Sequence, residues 1–220
     1  MNIENINKKV IGCRKCTELI EYRNSRPVPP LFKNCTYWNR PVAGYGDIHG
    51  NLLVIGLAPA FNGGNRTGRI FTGDKSSDFL ISSLYSAGFT NIPSSREIND
   101  GLEYRNMYIT LALRCAPPGN MPSRDELNKC YPYLEDEINS MENLRAILVL
   151  GKIAFDSALK YFRNKNIKLK GIKFHHGAFY DIENIRLFCS YHPSPRNVNT
   201  GILNAEKLTA LLNEIKNFIS

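Results

Sequence analysis

Apolar positions along the chain fall into two alternating patterns. Leu52-Leu53-Val54-Ile55-Gly56 is an unbroken apolar run, short enough to be a fully buried strand. A loop rich in Gly and Asn leads from it to Asp74. Ser77-Asp78 can then cap a helix whose Phe79, Leu80, Ser83, Leu84 and Ala87 share one face before Gly88 stops it. Residues 107–113 predict a second strand, and the Arg114-to-Asn120 continuation must be a loop because Pro117 and Pro118 cannot stay in a ladder. Ser123-Arg124-Asp125-Glu126 is a capping-box pattern that opens a helix to about residue 142. A third strand is predicted over 146–150, with Gly151 turning into a helix over 152–162. Beyond a Lys- and Asn-rich linker come strands over 178–182 and 185–191, then a terminal amphipathic helix over 204–218. Residues 1–50 show little periodicity and carry Pro27, Pro29 and Pro30, so they read as an irregular arm that something other than a large core must hold.

Strands followed by helices at this spacing predict a single α/β domain over 1–220, with an open, mainly parallel sheet covered by helices on both faces. In such sheets ligands bind beyond the carboxyl ends of the strands. The loops over 58–74, 114–122 and 192–201 each follow a strand, so they are expected to meet at one edge and form one site.

Composition narrows the function classes. With 43% hydrophobic and 22% charged residues in a 220-residue chain, disorder and disulfide-stapled miniproteins are excluded. No apolar run approaches the roughly 18 residues of a membrane span, and the first residues have neither a basic nor an apolar signal-peptide region, which predicts a cytoplasmic protein. In a reducing compartment the six cysteines are expected as thiols or metal ligands. Twenty-eight Lys and Arg against 20 acidic residues give a net charge of +8, which favours a polyanion such as nucleic acid, although charge alone is a weak discriminator.

Cys13 and Cys16 form a C-x2-C pair, and Cys115 and Cys130 flank the Pro-rich loop and part of the next helix. Four thiolates suit a tetrahedral zinc or an iron-sulfur cluster; a redox pair with two core cysteines is the alternative. Between Asn65 and Asp74 the chain joins Arg66 and Arg69, an aromatic ring at Phe71 and a carboxylate at Asp74. Such a loop can receive phosphate and offer a stacking face, while Asp74 could equally be a helix-start residue. His192-Pro193-Ser194-Pro195-Arg196-Asn197 follows an apolar strand directly, which lets His192 reach a bound ligand. Ser194 and Arg196 are the right types to grip phosphate, and Asn120 carries an amide able to donate and accept at once. His175 and His176 are adjacent, so in a strand they would point to opposite faces.

Taken together, Gly56-Leu57-Ala58-Pro59-Ala60, the Asn65-to-Asp74 loop, Arg114-Cys115-Ala116-Pro117-Pro118 with Asn120 and Pro122, and His192-Pro193-Ser194 with Asn197, Thr200 and Gly201 resemble the family-5, or b-type, uracil-DNA glycosylases. The resemblance runs from about Cys13 to the last helix. It implies a three-layer α/β/α sandwich around a four-stranded, mainly parallel sheet. It also implies a structural 4Fe-4S cluster on Cys13, Cys16, Cys115 and Cys130, with zinc as the alternative. By position, Gly56 and Ala58 would border the base, Phe71 would stack on it and Asn120 would read its polar edge. His192 would donate toward the uracil O2, and Asp74 would be the water-positioning carboxylate. Arg66, Arg69, Ser194, Arg196 and Asn197 would contact DNA. Other glycosylase families place an Asp or Asn where this chain has Ala58, and the smaller side chain implies room for deaminated bases beyond uracil, such as hypoxanthine.

The partner implied is DNA containing uracil or other deaminated bases, acted on by a monomer at the nucleoid with repair or replication proteins nearby. Competing readings are a non-catalytic metal-containing nucleic-acid-binding protein, a nucleotide hydrolase using the Arg66-to-Asp74 loop without Walker residues, and an a-type glycosylase restricted largely to uracil.

Overall fold

The apolar runs become the centre of a six-stranded sheet in the computed structural model, which describes residues 2–220. In chain order the elements are α1 (Ile3–Ile11), α2 (Thr17–Ser25), β1 (Tyr45–Gly46), β2 (Leu52–Gly56), α3 (Gly64–Thr67), α4 (Lys75–Ser86) and β3 (Met107–Leu111). They continue with α5 (Arg124–Ser140), β4 (Ala146–Leu150), α6 (Lys152–Asn164), β5 (Phe179–Ile182), β6 (Ile185–Ser190), α7 (Pro195–Asn199) and α8 (Ala205–Ile219). Strand order is β1-β3-β2-β4-β6-β5. The inner four strands are parallel, with Val54 opposite both Ile109 and Leu148. The two edge strands are antiparallel to their neighbours, and the two-residue β1 lies outside the sequence expectation.

Because side chains alternate across a strand, each inner strand feeds both faces of the sheet. Val54, Ile109, Leu148 and Phe188 pack with Leu80 and Leu84 of α4 and Leu208 and Leu212 of α8. Leu53, Ile55, Ile147 and Leu187 pack on the opposite face with Leu134 and Ile138 of α5 and Phe155 and Leu159 of α6. The result is a three-layer α/β/α sandwich.

The first 50 residues are corrected by the structure, since two helices replace the expected irregular arm. Asn2 caps α1 by accepting from the Glu4 N–H at 3.0 Å. Ile6 and Val10, one turn apart, are fully buried and join Leu19 of α2 in a third cluster with Leu113, Cys130 and Tyr133. The arm is thus fastened against α5 and the loop after β3. That loop is itself held from beneath: Glu137 of α5 is completely buried and accepts from Arg114 Nη2 and Thr110 Oγ1, each at 2.5 Å. Removing one partner of such a pair strands the other charge in the interior, at a cost of about 3–5 kcal/mol.

Candidate active site

The three expected loops do meet at the carboxyl edge of the sheet. They enclose a cavity of about 320 Å³ lined by Leu57, Ala58, Phe71, Asp74, Asn120, His192 and Ser194, among others. Gly56 ends β2 beneath this cavity. A Cβ there would stand 2.8 Å from both Leu111 and the Phe71 ring, so the bare backbone is what lets the ring seat. Phe71 itself adopts a left-handed backbone (φ 45°), a conformation that costs a bulky residue energy and is retained where the surroundings force it. Its ring lies 6.1 Å from that of His192, tilted by 32°.

Asp74 is both a wall of the cavity and the cap of α4. Its Oδ1 accepts from the Ser77 N–H at 2.9 Å, and the Ser77 hydroxyl accepts from the Asp74 N–H at 3.0 Å, a reciprocal capping box. The expected cap at Ser77-Asp78 lies three to four residues later; the helix starts earlier because Asp74 and Ser77 satisfy its first donors together. Oδ2 lies against Gly63, where an added Cβ would come within 1.9 Å, so any side chain at 63 would displace the carboxylate. Burial pushes the Asp74 carboxyl above the ordinary carboxylate range, opposed in part by the backbone donors of Ser77 and Ser76.

His192 leaves β6 after one further residue. Burial drives its pKa down to about 4, so the imidazole is neutral at pH 7 and carries one N–H donor. Its carbonyl accepts from Asn197 Nδ2 at 2.8 Å, and Ser194 caps α7 by accepting from the Asn197 N–H. These two residues therefore brace the histidine loop through their side chains. Arg196 is exposed beside them. Asn120 ends the 3-10 turn Pro118–Asn120 in a left-handed conformation that Asn tolerates, and its side chain is exposed at the cavity wall.

The two arginines of the first loop separate. Arg69 is only 2% exposed and its Nη2 is paired with Asp100 at 2.7 Å, with Nε on Thr72, so it builds the loop and cannot contact DNA as expected. Arg66 is half-buried. It donates to the Asn62 and Gly73 carbonyls and stacks 4.6 Å over Phe32. Leu57 and Pro195, which stand in the sequence motifs without an assigned role, also line the cavity, as do Ser76 and Leu111, to which the sequence gives no role in the site.

Cys13, Cys16, Cys115 and Cys130 line a second, smaller cavity between the arm, the β3 loop and α5. Cys35 is exposed and Cys189 is buried in β6, both apart from it. Arg23 Nη1 donates to Cys115 Sγ at 3.5 Å and the Arg114 N–H to Cys130 Sγ at 3.3 Å. The buried Nε groups of both arginines have no hydrogen-bond partner among the described residues. Cationic donors with spare capacity beside four thiols fit an anionic thiolate centre. Among the described residues, no three His, Cys, Asp or Glu side chains converge as a single-ion site.

Residues 43–216 match the uracil DNA glycosylase superfamily. The chain is 40% identical over 206 residues to a type-5 uracil-DNA glycosylase of Pyrobaculum aerophilum, covering 93% of this chain and 88% of that one. It is 38% identical to the type-5 enzyme of Thermus thermophilus over 98% of each chain, and 24% identical to a Pyrobaculum aerophilum type-4 uracil-DNA glycosylase over 88% of this chain and 84% of that one. With a family model over residues 43–216 and type-5 relatives 38–40% identical over nearly the whole chain, the chain belongs to the uracil-DNA glycosylase superfamily, in its type-5 branch.

Proposed function

We propose that the protein is a monofunctional glycosylase of DNA repair that takes a deaminated base out of the helix and hydrolyses its N-glycosidic bond, leaving an abasic site. Uracil excision follows from membership of the type-5 branch. The observation that carries the reading to individual residues is the convergence of Phe71, Asp74, Asn120 and His192 around one cavity at the carboxyl edge of the parallel sheet.

Cleavage of this bond passes through an oxocarbenium-like sugar and expels a uracil anion. A neutral His192 suits the second demand, because its ring N–H donates a hydrogen bond to the charge developing on O2 while keeping its own proton. Phe71 supplies a stacking face for the base, and the Asn120 amide matches the alternating donor and acceptor on a pyrimidine edge. The Asp74 carboxylate, beside the cavity, stabilises the developing positive charge of the sugar and orients the attacking water. Phosphate contacts fall to the exposed Arg196 and the half-buried Arg66. Ser194 and Asn197 act by holding the loop, although the backbone of α7 can still meet a phosphate.

Cys13, Cys16, Cys115 and Cys130 would hold a 4Fe-4S cluster that supplies folding energy and no chemistry to the reaction. Four cysteines lining one cavity, with an Arg23 guanidinium N–H and the Arg114 backbone N–H on two of the sulfurs, support an anionic thiolate centre, and zinc is the alternative to the cluster. The protein works as a monomer on nucleoid DNA. Among the described residues, no helix is long and apolar enough to cross a membrane.

Ala58 borders the cavity with a single methyl group, which leaves room for a purine. The test is an oligonucleotide duplex carrying one uracil or one hypoxanthine, treated with hot alkali after incubation. Strand scission at both is expected. Scission at uracil alone would narrow the specificity to a-type, and tight binding without scission at either would leave a binding protein.

A further inference from the structure

Extruding a nucleotide leaves a gap in the duplex, and proteins that bend or unstack DNA commonly fill it with an apolar side chain such as Leu, Ile, Phe or Met. The histidine loop offers none of these four types: beyond His192 it presents Pro195, Arg196 and the half-buried Val198, and Ile202 lies past the loop, about half exposed. The opposite wall of the cavity is different. Met121 directly follows Asn120 and is 77% exposed, a high value for a long apolar side chain.

The backbone around it is rigid on both sides. Pro117 and Pro118 lead in, and Gly119 and Asn120 take consecutive left-handed conformations (φ 59° and 58°) that turn the chain tightly. The Met121 N–H donates to the Pro118 carbonyl at 3.0 Å. Two residues later Ser123 begins α5 with a complete capping box on Glu126. The side chain is therefore held out on a fixed platform, next to the residue that borders the flipped base, with no protein core of its own to join. We infer that Met121 is the apolar wedge that enters the base stack when the nucleotide leaves it. The inference rests on the glycosylase reading and adds to it the residue that occupies the vacated position.

The experiment compares wild type, Met121→Ala, Met121→Leu and Leu31→Ala; Leu31 is the other strongly exposed aliphatic side chain, at 83%. Each is assayed for uracil release from a duplex and from the same strand unpaired, and for the fluorescence of 2-aminopurine placed next to the uracil in the duplex. Met121→Ala is expected to lose at least about fivefold in kcat/KM on the duplex, to stay within about twofold on the single strand and to lose the fluorescence rise. Met121→Leu should restore both. Equal losses on the two substrates, no loss on either, or a loss confined to Leu31→Ala would overturn the assignment. Failure of the glycosylase reading looks different: wild type would release no uracil from either strand, while the fluorescence would still report whether Met121 unstacks the duplex.

Discussion

The base cavity and the cysteine cavity are served by one short segment, since Arg114 and Cys115 line the second and Asn120 the first. They are completed by opposite means. Around the base cavity the protein supplies its own closure: a capping box fixes Asp74, and the Asn197 amide holds the carbonyl of His192. Around the cysteines the closure is partial, with four thiols and two buried guanidinium groups each keeping an unused Nε donor. One segment thus borders both a cavity whose walls are fixed by the protein's own hydrogen bonds and a cavity lined by four thiols, so that on the proposed reading stability and chemistry are separable by mutation.

The strongest test of that separation is Cys13→Ser together with Cys16→Ser. Loss of bound metal is expected, with several kcal/mol of stability and a Tm drop on the order of 10 °C, while the folded fraction still excises uracil. Unchanged metal content and Tm would show that the arm is held by the Ile6, Val10 and Leu19 cluster alone.

The converse variant, His192→Ala, should lower kcat about 10²–10³-fold with little effect on Tm. A pH titration sharpens it. Burial holds the folded-state pKa of His192 near 4, below the roughly 6.5 of an unfolded chain. The unfolded state takes up the proton first, so this residue's contribution to stability is present above about pH 6.5 and lost as the pH falls toward 4. An NMR midpoint for the ring near 6.5 would contradict the neutral donor assigned to it.

The smallest effect on stability is expected from Asp74→Asn, because Asn caps a helix about as well as Asp. Its effect should appear in the rate profile. If the carboxylate is the working form, burial places the acid limb of the wild-type profile above the ordinary carboxylate value, and the amide removes that limb while slowing the reaction. An acid limb that persists in the variant belongs to another group.

Much of this architecture is legible in the sequence because its signals are local. The inner strands are continuous apolar runs, and α5 announces itself through Ser123 and Glu126. The arm shows where local reading fails. In α1, Ile6 and Val10 have helical spacing among Asn and Lys, a signal that the prolines farther along outweighed. In α2 only Leu19 and Arg23 are buried, so its place depends on contacts made elsewhere in the chain. Arg69 fails for the same reason: its partner Asp100 lies 31 residues away, and nothing near Arg69 distinguishes a buried ion pair from a surface cation. Residue type and spacing located the cavity wall, whereas which of its polar side chains are already spoken for is a three-dimensional fact.

The double engagement of Asp74 has a consequence for turnover. One of its oxygens closes the first turn of α4 and the other is confined by Gly63, so the side chain has almost no rotamer freedom left to lose when a substrate arrives. The entropy of ordering that carboxylate was surrendered when the chain folded, and it is not surrendered again in each catalytic cycle.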